Sequence, residues 1–393
     1  MRETSKPVAE KVAIIGGGIG GLATAIALRK QGIDAHVYEK ARELRPVGAG
    51  LSLNPNGLKA LEAIEPTIVE QLKQAGSILK VINLRKNTGE TTQQKKITLM
   101  EKYGQPLLSI RWSKLQEILA AALPPEIIHL NHRCVSFTQN HNSVTVEFEG
   151  KKAVEVDLVV GADGIKSAVR QKLIGDGEPR YLGRMSWRGL LKYSHKLLAA
   201  NEVTGITAPP KNVTLMDVGD GYIFWGATML CVDDSSSGSG ADIKSRLLKE
   251  FGEWASPIPE IMEATDAAII VERPIWDREP LSSWSQGRVT LLGDAAHPMS
   301  PSIGQGANTA FEDGYELSEY LAKAPNLEAA LAFYDGNRIE RTQIIQARSA
   351  FSGNRAYKPD GEQYLQERLR SNEEFEDWLY KYDPLAIASR RVY

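Results

Sequence analysis

The chain has 393 residues, of which 42% are hydrophobic and 24% charged, and its formal net charge is −2. This composition is typical of a globular protein of about two domains, and the near-neutral charge excludes a general attraction to nucleic acid or anionic membranes. Two cysteines make neither a disulfide framework nor a metal motif, and no apolar run suits a bilayer, so we expect a cytoplasmic protein without metal, nucleic-acid partner or membrane segment.

The part of the chain from Val12 to Glu39 has the pattern of a βαβ unit. Apolar residues predict a buried strand over Val12–Ile15, a helix over about Leu22–Gln31 and a second strand over Ile33–Tyr38. The turn between the first strand and the helix contains the G-x-G-x-x-G spacing, formed by Gly16, Gly18 and Gly21, with Gly20 beside it.

These residue types suit an adenine dinucleotide. Gly16 allows a tight turn, Gly18 lets the backbone approach a pyrophosphate, and Gly21 lets the helix pack closely on the sheet. The start of the helix presents free N–H groups and a positive dipole end, and Glu39 can accept hydrogen bonds from a ribose. The alternative, a secretory signal peptide, is disfavoured because five glycines interrupt the apolar run and basic residues end the helix.

Shorter elements follow up to residue 160. Three small residues at 48–50 indicate backbone that runs close to another group, and Arg111 stands directly before a capping-box sequence, Ser113–Gln116. The predicted elements are a helix opened by Asn54-Pro55, strands over 78–86 and 95–99, a helix from the capping box to about Leu123, a hairpin over His129–Gln139 and Val144–Glu149, and a buried strand over Asp157–Val160.

The middle of the chain, about 180–275, has no βαβ rhythm and predicts a mostly antiparallel sheet domain that carries helices. Helical patterns follow over about 303–322 and 327–348, and the charged tail over Gly361–Tyr382 also predicts a helix. The predicted middle elements are strands over Met185–Leu191, Val213–Val218, Tyr222–Leu230 and Ala267–Val271, a flexible loop over Asp233–Gly240 and a helix over Ala241–Phe251.

Two further segments each place a glycine and an aspartate at the end of a predicted strand. Asp163-Gly164 follows the strand over Asp157–Val160 and opens a helix. Gly293-Asp294 follows a strand that begins near Arg288, and a loop with His297 and Pro298 then leads to a helix at about Gly306. Ligands bind at the carboxyl ends of strands in open α/β sheets, so all three segments can serve one cofactor.

With these three motifs in this order, over about residues 11 to 350, the sequence resembles the class A FAD-dependent monooxygenases, the para-hydroxybenzoate and salicylate hydroxylase family. Within that family, the sequence most resembles the salicylate, urate and zeaxanthin-epoxidase-like branch. The resemblance implies an α/β fold with a Rossmann-like, glutathione-reductase-type FAD domain, an inserted and mostly antiparallel substrate sheet, and C-terminal helices. It also implies that NADPH or NADH reduces the flavin and that O2 forms a C4a-hydroperoxide, from which one oxygen atom passes to an electron-rich substrate.

The resemblance assigns non-covalent FAD binding to residues of the three motifs. Glu39 is implied to bind the adenosine ribose, Arg111 the ribityl and phosphate region, and Asp294 the ribityl chain. The full set of expected cofactor-binding residues is Gly16, Gly18, Gly20, Gly21, Glu39, Lys40, Gly50, Arg111, Asp163, Gly293, Asp294, Gly306, Ala307 and Asn308. The backbone of the last three residues is implied to face the pyrimidine edge of the isoalloxazine.

The substrate side has fewer signals. Tyr222 and Phe224 share one face of a predicted strand, and Arg188 could hold a carboxylate or a phenolate. We take Tyr222, Arg188, His297 and Pro298 as candidate catalytic residues. Core packing is the better explanation of Trp187, Phe224 and Trp225, and His297 could equally have a structural role in its loop.

The expected domain boundaries follow from the change of pattern. Residues 1–178 form the first part of the FAD domain, with 76–100 joining the substrate side; 179–280 form the substrate domain; 281–350 return to the FAD domain; and 351–393 form a C-terminal helical segment. The substrate is a small aromatic or isoprenoid-like molecule, and the protein is a monomer or a homodimer. A non-catalytic FAD-binding or redox-sensing protein and an NAD-dependent dehydrogenase remain the alternatives, and the choice between NADH and NADPH stays open.

Overall fold

The computed structural model describes residues 7–44, 49–231, 239–352 and 371–389. Its strands are β1 (Lys11–Ile15), β2 (Asp34–Tyr38), β3 (Gly50–Leu53), β4 (Ser77–Ile78), β5 (Val81–Lys86), β6 (Thr91–Lys96), β7 (Leu108–Arg111), β8 (Ile128–His129), β9 (Cys134–Gln139), β10 (Val144–Phe148), β11 (Val154–Val156), β12 (Leu158–Gly161), β13 (Arg180–Lys192), β14 (Glu202–Ala208), β15 (Lys211–Asp217), β16 (Tyr222–Leu230), β17 (Val271–Asp277) and β18 (Val289–Leu291).

The described helices cluster around these strands. They are α1 (Ile19–Lys30), α2 (Pro55–Ile64), α3 (Pro66–Ala75), α4 (Leu99–Tyr103), α5 (Trp112–Ala121), α6 (Ala168–Leu173), α7 (Gly240–Phe251), α8 (Ile258–Ala264), α9 (Gly306–Lys323), α10 (Leu327–Ser352), α11 (Asn372–Tyr380) and α12 (Pro384–Ser389). Within the described ranges, no helix is both long and apolar enough to cross a membrane.

A parallel sheet of five strands, in the order β18-β12-β1-β2-β8, forms the centre of the larger hydrophobic core. The three central strands, β1, β12 and β18, are short apolar runs whose residues are almost all buried, as parallel strands covered by helices must be. Helix α1 packs beside α9, so the βαβ unit and the C-terminal part of the chain share this core. The three strands that precede the glycine-containing motifs, β1, β12 and β18, are neighbours in the sheet.

A second sheet has seven strands in the order β17-β13-β16-β15-β14-β5-β6, and all its pairs are antiparallel except β14 with β5. Helices α7 and α8 cover one face, where Trp187, Trp225 and Phe251 are buried together. The α/β class and the separate, mostly antiparallel sheet expected from the sequence are therefore confirmed. Strands β5 and β6 come from residues 81–96 and join this second sheet.

Several local predictions differ from the structure. Helix α5 begins at Trp112, so Ser113 is not its cap, and the Gln116 amide donates instead to the carbonyl oxygen of Gly17 at 2.8 Å. The predicted strand over Ala267–Val271 is mainly a short 3-10 helix, because the Asp266 carboxylate accepts a hydrogen bond from the N–H of Ala268. Strand β14 was missed, and the predicted loop over Asp233–Gly240 lies almost wholly outside the described residues.

The tail prediction, Gly361–Tyr382, can be compared only from residue 371 onwards. There, α11 begins with a capping box in which Ser371 accepts a hydrogen bond from the N–H of Glu374 and the Glu374 carboxylate accepts one from the N–H of Ser371. The predicted helix over 303–322 begins at Gly306, because a separate 3-10 turn occupies Pro301–Ile303.

Candidate active site

The three motif segments meet at the carboxyl ends of β1, β12 and β18. Gly16 has a φ of +117°, and a Cβ at this position would lie 2.4 Å from the carbonyl oxygen of Ala162. The N–H of Ala162 donates to the carbonyl oxygen of Ile15 at 2.8 Å, and the N–H of Leu292 donates to that of Gly161 at 2.9 Å. Backbone contacts thus hold the first and second motifs together and join the second to the third.

The glycines of the first motif differ in what surrounds them. A Cβ on Gly21 would lie 2.1 Å from the carbonyl oxygen of Gly16, so this glycine is required by close packing of α1 on the turn. Gly20 faces Ala310 of α9, at 3.0 Å from the position of an added Cβ. Gly18 has no atom within 4 Å of that position and precedes the first residue of α1. Its open side lies where free N–H groups begin the helix, as a pyrophosphate requires.

A cavity of about 280 Å³ lies beside this turn, and Gly16, Gly18, Glu39, Lys40 and Asp163 contribute to its lining. The Glu39 carboxylate accepts hydrogen bonds from the N–H of Gly17 at 2.7 Å and of Ala41 at 2.8 Å, one on each oxygen. A carboxylate has about four acceptor positions, so ribose hydroxyls can still bind to Glu39. The exposed Lys40 stands at the same edge.

Asp163 has a different set of contacts from those expected of a cofactor ligand. One oxygen accepts from the Ser167 hydroxyl, and the other accepts from the N–H of Ala168 at 2.7 Å, so the carboxylate caps the start of α6. Burial raises the pKa of Asp163, and the hydrogen bonds from Ser167 and Ala168 oppose that rise. The Asp163 carboxylate therefore orders the start of α6 beside the cavity, and its part in cofactor binding stays a prediction.

Arg170, in the helix that follows Asp163-Gly164, is fully buried. Its guanidinium donates to Asp176 and to the carbonyl oxygens of Ala295 and Ala296, the latter at 2.9 Å. Because Ala295 and Ala296 follow Gly293-Asp294, Arg170 ties the second motif to the third.

Arg111 ends β7 beside Gly50 of β3, its direct partner in the small β3-β7-β4 sheet. Its guanidinium forms an ion pair with Asp220 at 2.5 Å and lies over the ring of Tyr222, 4.5 Å from the centroid. The Nε atom is buried without a hydrogen-bond partner among the described residues. Buried polar atoms are normally paired, so an unpaired guanidinium N–H fits a residue that donates to an anionic cofactor.

The third motif forms a short 3-10 turn over Gly293–Ala295, in which Gly293 has a φ of +57°. The Asp294 side chain is accessible to solvent, yet the protein around it desolvates the carboxyl and raises its pKa, against an opposing effect of His297. A Cβ on Gly306 would lie 3.7 Å from Oδ1 of Asp294, so the carboxylate lies beside the start of α9. The N–H groups of the first helical turn have no intrahelical acceptor.

Asn308 holds that first turn in place. Its Oδ1 accepts from the N–H of Asn54 at 2.8 Å, and its Nδ2 donates to the carbonyl oxygen of Gly304 at 2.8 Å. Both ends of the Asn308 side-chain amide are therefore occupied by hydrogen bonds within the protein. The groups of this turn that can bind a ligand are the backbone N–H groups of Gly306, Ala307 and Asn308.

His297 and Pro298 do not have the surroundings of catalytic residues. The His297 ring is buried, its Nε2 is 2.6 Å from Oδ2 of Asp313, and it packs against Trp284. Pro298 is also buried, and its carbonyl oxygen accepts from Gln346 at 3.0 Å. These contacts favour the structural role of His297 in its loop, because the ring is buried in the protein interior; its Nδ1 atom has no hydrogen-bond partner among the described residues.

A buried charge network, which sequence reasoning missed, lies beneath this loop. Asp313 accepts from the N–H of Gly293 at 3.0 Å and pairs with Arg338 at 2.8 Å, and Arg338 also pairs with Glu312 and Glu316. Burial alone would raise the pKa of Asp313, but His297 and Arg338 lower it below its usual value. Helical spacing of Glu312, Asp313 and Glu316 could have suggested a common partner, but a lone pattern of this kind usually marks a solvated helix face.

The expected substrate residues lie on one face of the seven-stranded sheet. Tyr222, Phe224 and Gly226 alternate along β16, and Arg188 is the direct partner of Gly226 on β13. A Cβ on Gly50 would lie 2.7 Å from Cβ of Phe224, so this glycine is explained by the close approach of β3 to the sheet. Trp187 and Trp225 belong to the opposite, helix-covered face, which confirms that they are core residues.

Arg188 is half-buried, and no acidic side chain of the described ranges is paired with it. Burial lowers the pKa of its guanidinium, and the nearby charge of Arg273 lowers it further. An unpaired cation in a partly desolvated position is costly to the protein alone, so this residue suits recognition of an anion.

Comparison with known proteins supports the same assignment. The family model for the FAD binding domain matches residues 9–352. The chain is 33% identical over 339 residues to aurachin C monooxygenase/isomerase of Stigmatella aurantiaca, with 86% of this chain and 87% of that protein covered. It is 31% identical over 348 residues to FAD-dependent urate hydroxylase of Klebsiella pneumoniae, with 86% and 88% covered.

The crystal structure of Klebsiella pneumoniae HpxO complexed with FAD and uric acid superposes with a TM-score of 0.84 at 27% identity and covers 94% of this chain and 95% of that one. The chain belongs to the FAD-binding domain family, within the class A flavin monooxygenases. FAD is therefore its cofactor, and the open side of Gly18, the unpaired Nε of Arg111 and the turn beside Asp294 fit such a group.

Proposed function

We propose that the protein is a monooxygenase that consumes NADH or NADPH and transfers one oxygen atom of O2 to an electron-rich aromatic or olefinic small molecule. The observation that carries the proposal is the position of Arg111, whose guanidinium stacks on Tyr222 while its Nε remains unpaired. One residue thereby joins the expected FAD site to the expected substrate face.

In this proposal the chain's own residues bind and orient the cofactor. Gly18 and the start of α1 take the pyrophosphate, Glu39 takes the ribose, and Arg111 and Asp294 take the ribityl and phosphate region. The first turn of α9 directs its N–H groups and dipole at the pyrimidine edge, where they stabilise negative charge. When bound, reduced FAD supplies the oxygen chemistry, through the C4a-hydroperoxide that the family resemblance implies.

The substrate lies, in this proposal, between the cofactor and the polar face of the seven-stranded sheet. Arg188 holds an anionic group, and Tyr222 and Phe224 contact a planar, conjugated ring. Gly226, beside Arg188, is four residues from Tyr222, or about 13 Å along the strand, so a one- or two-ring acid can span both. Two of the relatives are named for urate and for aurachin C.

The test is spectroscopic. The purified protein, reconstituted with FAD, is mixed without oxygen with NADH or NADPH, and the flavin absorption is followed with and without a panel of aromatic acids and olefins. We expect one coenzyme to bleach the flavin and some panel members to accelerate the bleaching. A colourless protein that cannot be reconstituted would contradict the proposal. A yellow protein that neither coenzyme bleaches with any compound would indicate a non-catalytic FAD-binding protein.

A further inference from the structure

Helix α11 lies outside the range that the family model matches, which ends at residue 352. Phe375 and Leu379 of this helix pack on Ile344 and Ile345 of α10, and Met299 and Ile303 complete the apolar cluster. Met299 and Ile303 belong to the loop that leads into α9. The helix therefore touches the segment that carries the proposed flavin-facing turn.

A chain of hydrogen bonds leads from α11 to the first turn of α9. The Tyr380 hydroxyl donates to Oδ1 of Asn54 at 2.8 Å, and the N–H of Asn54 donates to Oδ1 of Asn308 at 2.8 Å. The Asn308 amide in turn donates to the carbonyl oxygens of Gly304 and Ser52, at 2.8 and 3.2 Å. Asn54 and Asn308 are buried, so water does not compete for these bonds.

Backbone hydrogen bonds hold Tyr380 in place, in addition to the bond that its hydroxyl makes. Lys59 donates to the carbonyl oxygen of Tyr380 at 2.8 Å, and Arg341 donates to that of Leu379 at 3.0 Å. The pKa of the Tyr380 phenol is raised by burial, with further contributions from Glu376 and Tyr103, so the hydroxyl keeps its proton and is a donor at neutral pH. Because Nδ2 of Asn54 donates to the carbonyl oxygen of Gly304 at 3.4 Å, Oδ1 of Asn54 is the acceptor that faces the Tyr380 hydroxyl.

Helix α9 depends on this chain because it has no side-chain cap of its own. Its N-cap residue, Gln305, makes no capping hydrogen bond. A Cβ on Gly57 would lie 2.2 Å from Oδ1 of Asn308, so α2 leaves the amide of Asn308 little freedom to move. Asn308 and Asn54 therefore hold the first turn, together with Asn56, which donates to Oε1 of Gln305 at 2.9 Å. Within the described ranges, the only side-chain donor to Oδ1 of Asn54 is Tyr380.

We propose that Tyr380 is a positioning residue for the cofactor: through Asn54 and Asn308, the C-terminal helix fixes the first turn of α9 and so sets how strongly that turn stabilises negative charge on the pyrimidine end of FAD. This inference rests on the proposed function, because it takes that turn as the group that faces the flavin. It gives the C-terminal segment, which the family match leaves unassigned, a part in the redox properties of the site.

The test compares Tyr380→Phe with Tyr103→Phe. Both variants remove one phenol hydroxyl from the same helix interface, since Tyr103 donates to Asp377 at 2.6 Å and its ring lies 5.3 Å from that of Tyr380. Only the Tyr380 hydroxyl is bonded to Asn54. For each FAD-loaded protein, the midpoint potential of the flavin is measured by equilibration with a reference dye, and the Kd for FAD is measured by fluorescence titration.

We expect Tyr380→Phe to shift the flavin potential in the negative direction and to raise the Kd for FAD by about threefold to tenfold, the effect of one lost hydrogen bond. Tyr103→Phe should leave both quantities at the wild-type values. Unfolding temperatures of the two apo-proteins establish that both are folded, and a packing defect alone would lower those temperatures without moving the potential.

Two results would overturn the inference: a wild-type potential and Kd in Tyr380→Phe, or equal changes in both variants. Either result leaves the proposed function standing if the flavin is still bleached by a reduced nicotinamide. Failure of the wild-type protein to bind FAD would instead remove the proposed function itself, so the two failures are distinguishable.

Discussion

Substitution of Gly18 by alanine should weaken FAD binding without changing the stability of the fold. Gly18 has φ −69° and ψ 171°, which alanine adopts freely, and no atom lies within 4 Å of an added Cβ. Alanine is a poorer N-cap than glycine but also restricts the unfolded chain, and these opposing effects leave the unfolding free energy of the apo-protein within about 1 kcal/mol of wild type.

The same methyl group projects into the space that the pyrophosphate of FAD needs. It displaces at least one charge-assisted hydrogen bond between the backbone and a phosphate, which contributes about 1.5–3 kcal/mol, so the Kd for FAD should rise roughly ten- to a hundredfold. Titration of the apo-protein with FAD, followed by flavin fluorescence, measures the Kd. Thermal unfolding of the same apo-protein measures stability.

Gly336→Ala is the matched control, because Gly336 is an exposed glycine of α10 with no atom within 4 Å of an added Cβ. It should gain slightly in stability, as alanine favours a helix interior, and keep wild-type affinity for FAD. Wild-type affinity in Gly18→Ala would refute the placement of the pyrophosphate, and an equal loss in both variants would show that the effect is not local.

Three other substitutions test separate parts of the site. Gly21→Ala places a methyl group 2.1 Å from the carbonyl oxygen of Gly16, and we expect little folded protein on purification; a folded, FAD-binding variant would contradict the close packing of α1. Asp313→Asn removes one buried partner of Arg338 and should lower the unfolding free energy by about 3–5 kcal/mol in urea denaturation, whereas a change below 1 kcal/mol would refute the network's role. Arg188→Met removes an unpaired cation, so the unfolding temperature should rise while acceleration of flavin reduction by acidic compounds falls; unchanged acceleration would exclude Arg188 from substrate binding.

Local patterns were sufficient for the first motif. The strand, turn and helix from Lys11 to Lys30 follow from apolar runs separated by glycines, although Gly16 and Gly20 also make close contacts with Ala162 and Ala310, far away in sequence. The separate sheet was also predictable, since the alternation over Tyr222–Leu230 and the absence of a βαβ rhythm are properties of adjacent residues. Trp187 and Trp225 were assigned to the core because large aromatic side chains gain most from burial.

Contacts between residues that are far apart in the chain could not be predicted from local patterns. His297 stands in a glycine- and proline-rich loop that suggests an exposed base, but Asp313 and Trp284 draw it into the interior. Ser113 has the right neighbours for a cap, yet Gln116 is used by Gly17, almost a hundred residues earlier, and the helix begins elsewhere. No local pattern connects such pairs, since their contact depends on how the whole chain packs.

The contacts of the C-terminal helix could not be predicted from local patterns either. The charged pattern over Gly361–Tyr382 predicts only a helix, and Tyr380 carries no signal of its own in the sequence. Its bond to Asn54 spans more than three hundred residues and becomes visible only when α2, α9 and α11 are brought together. The contacts of Asp163 with the start of α6 and of Gly50 with Phe224 likewise could not be read from the sequence, and their predicted part in cofactor binding stays a prediction.

The central claim, oxygen transfer from O2, is tested most directly by isotope labelling. The FAD-loaded protein is turned over under ¹⁸O₂ with the reduced nicotinamide and the panel compound that most accelerates flavin reduction, and the product is analysed by mass spectrometry. We expect one ¹⁸O atom in the product for each reduced nicotinamide consumed in coupled turnover. Consumption of the coenzyme with hydrogen peroxide as the only oxygen product for every panel compound, or a product labelled from H₂¹⁸O instead, would contradict it.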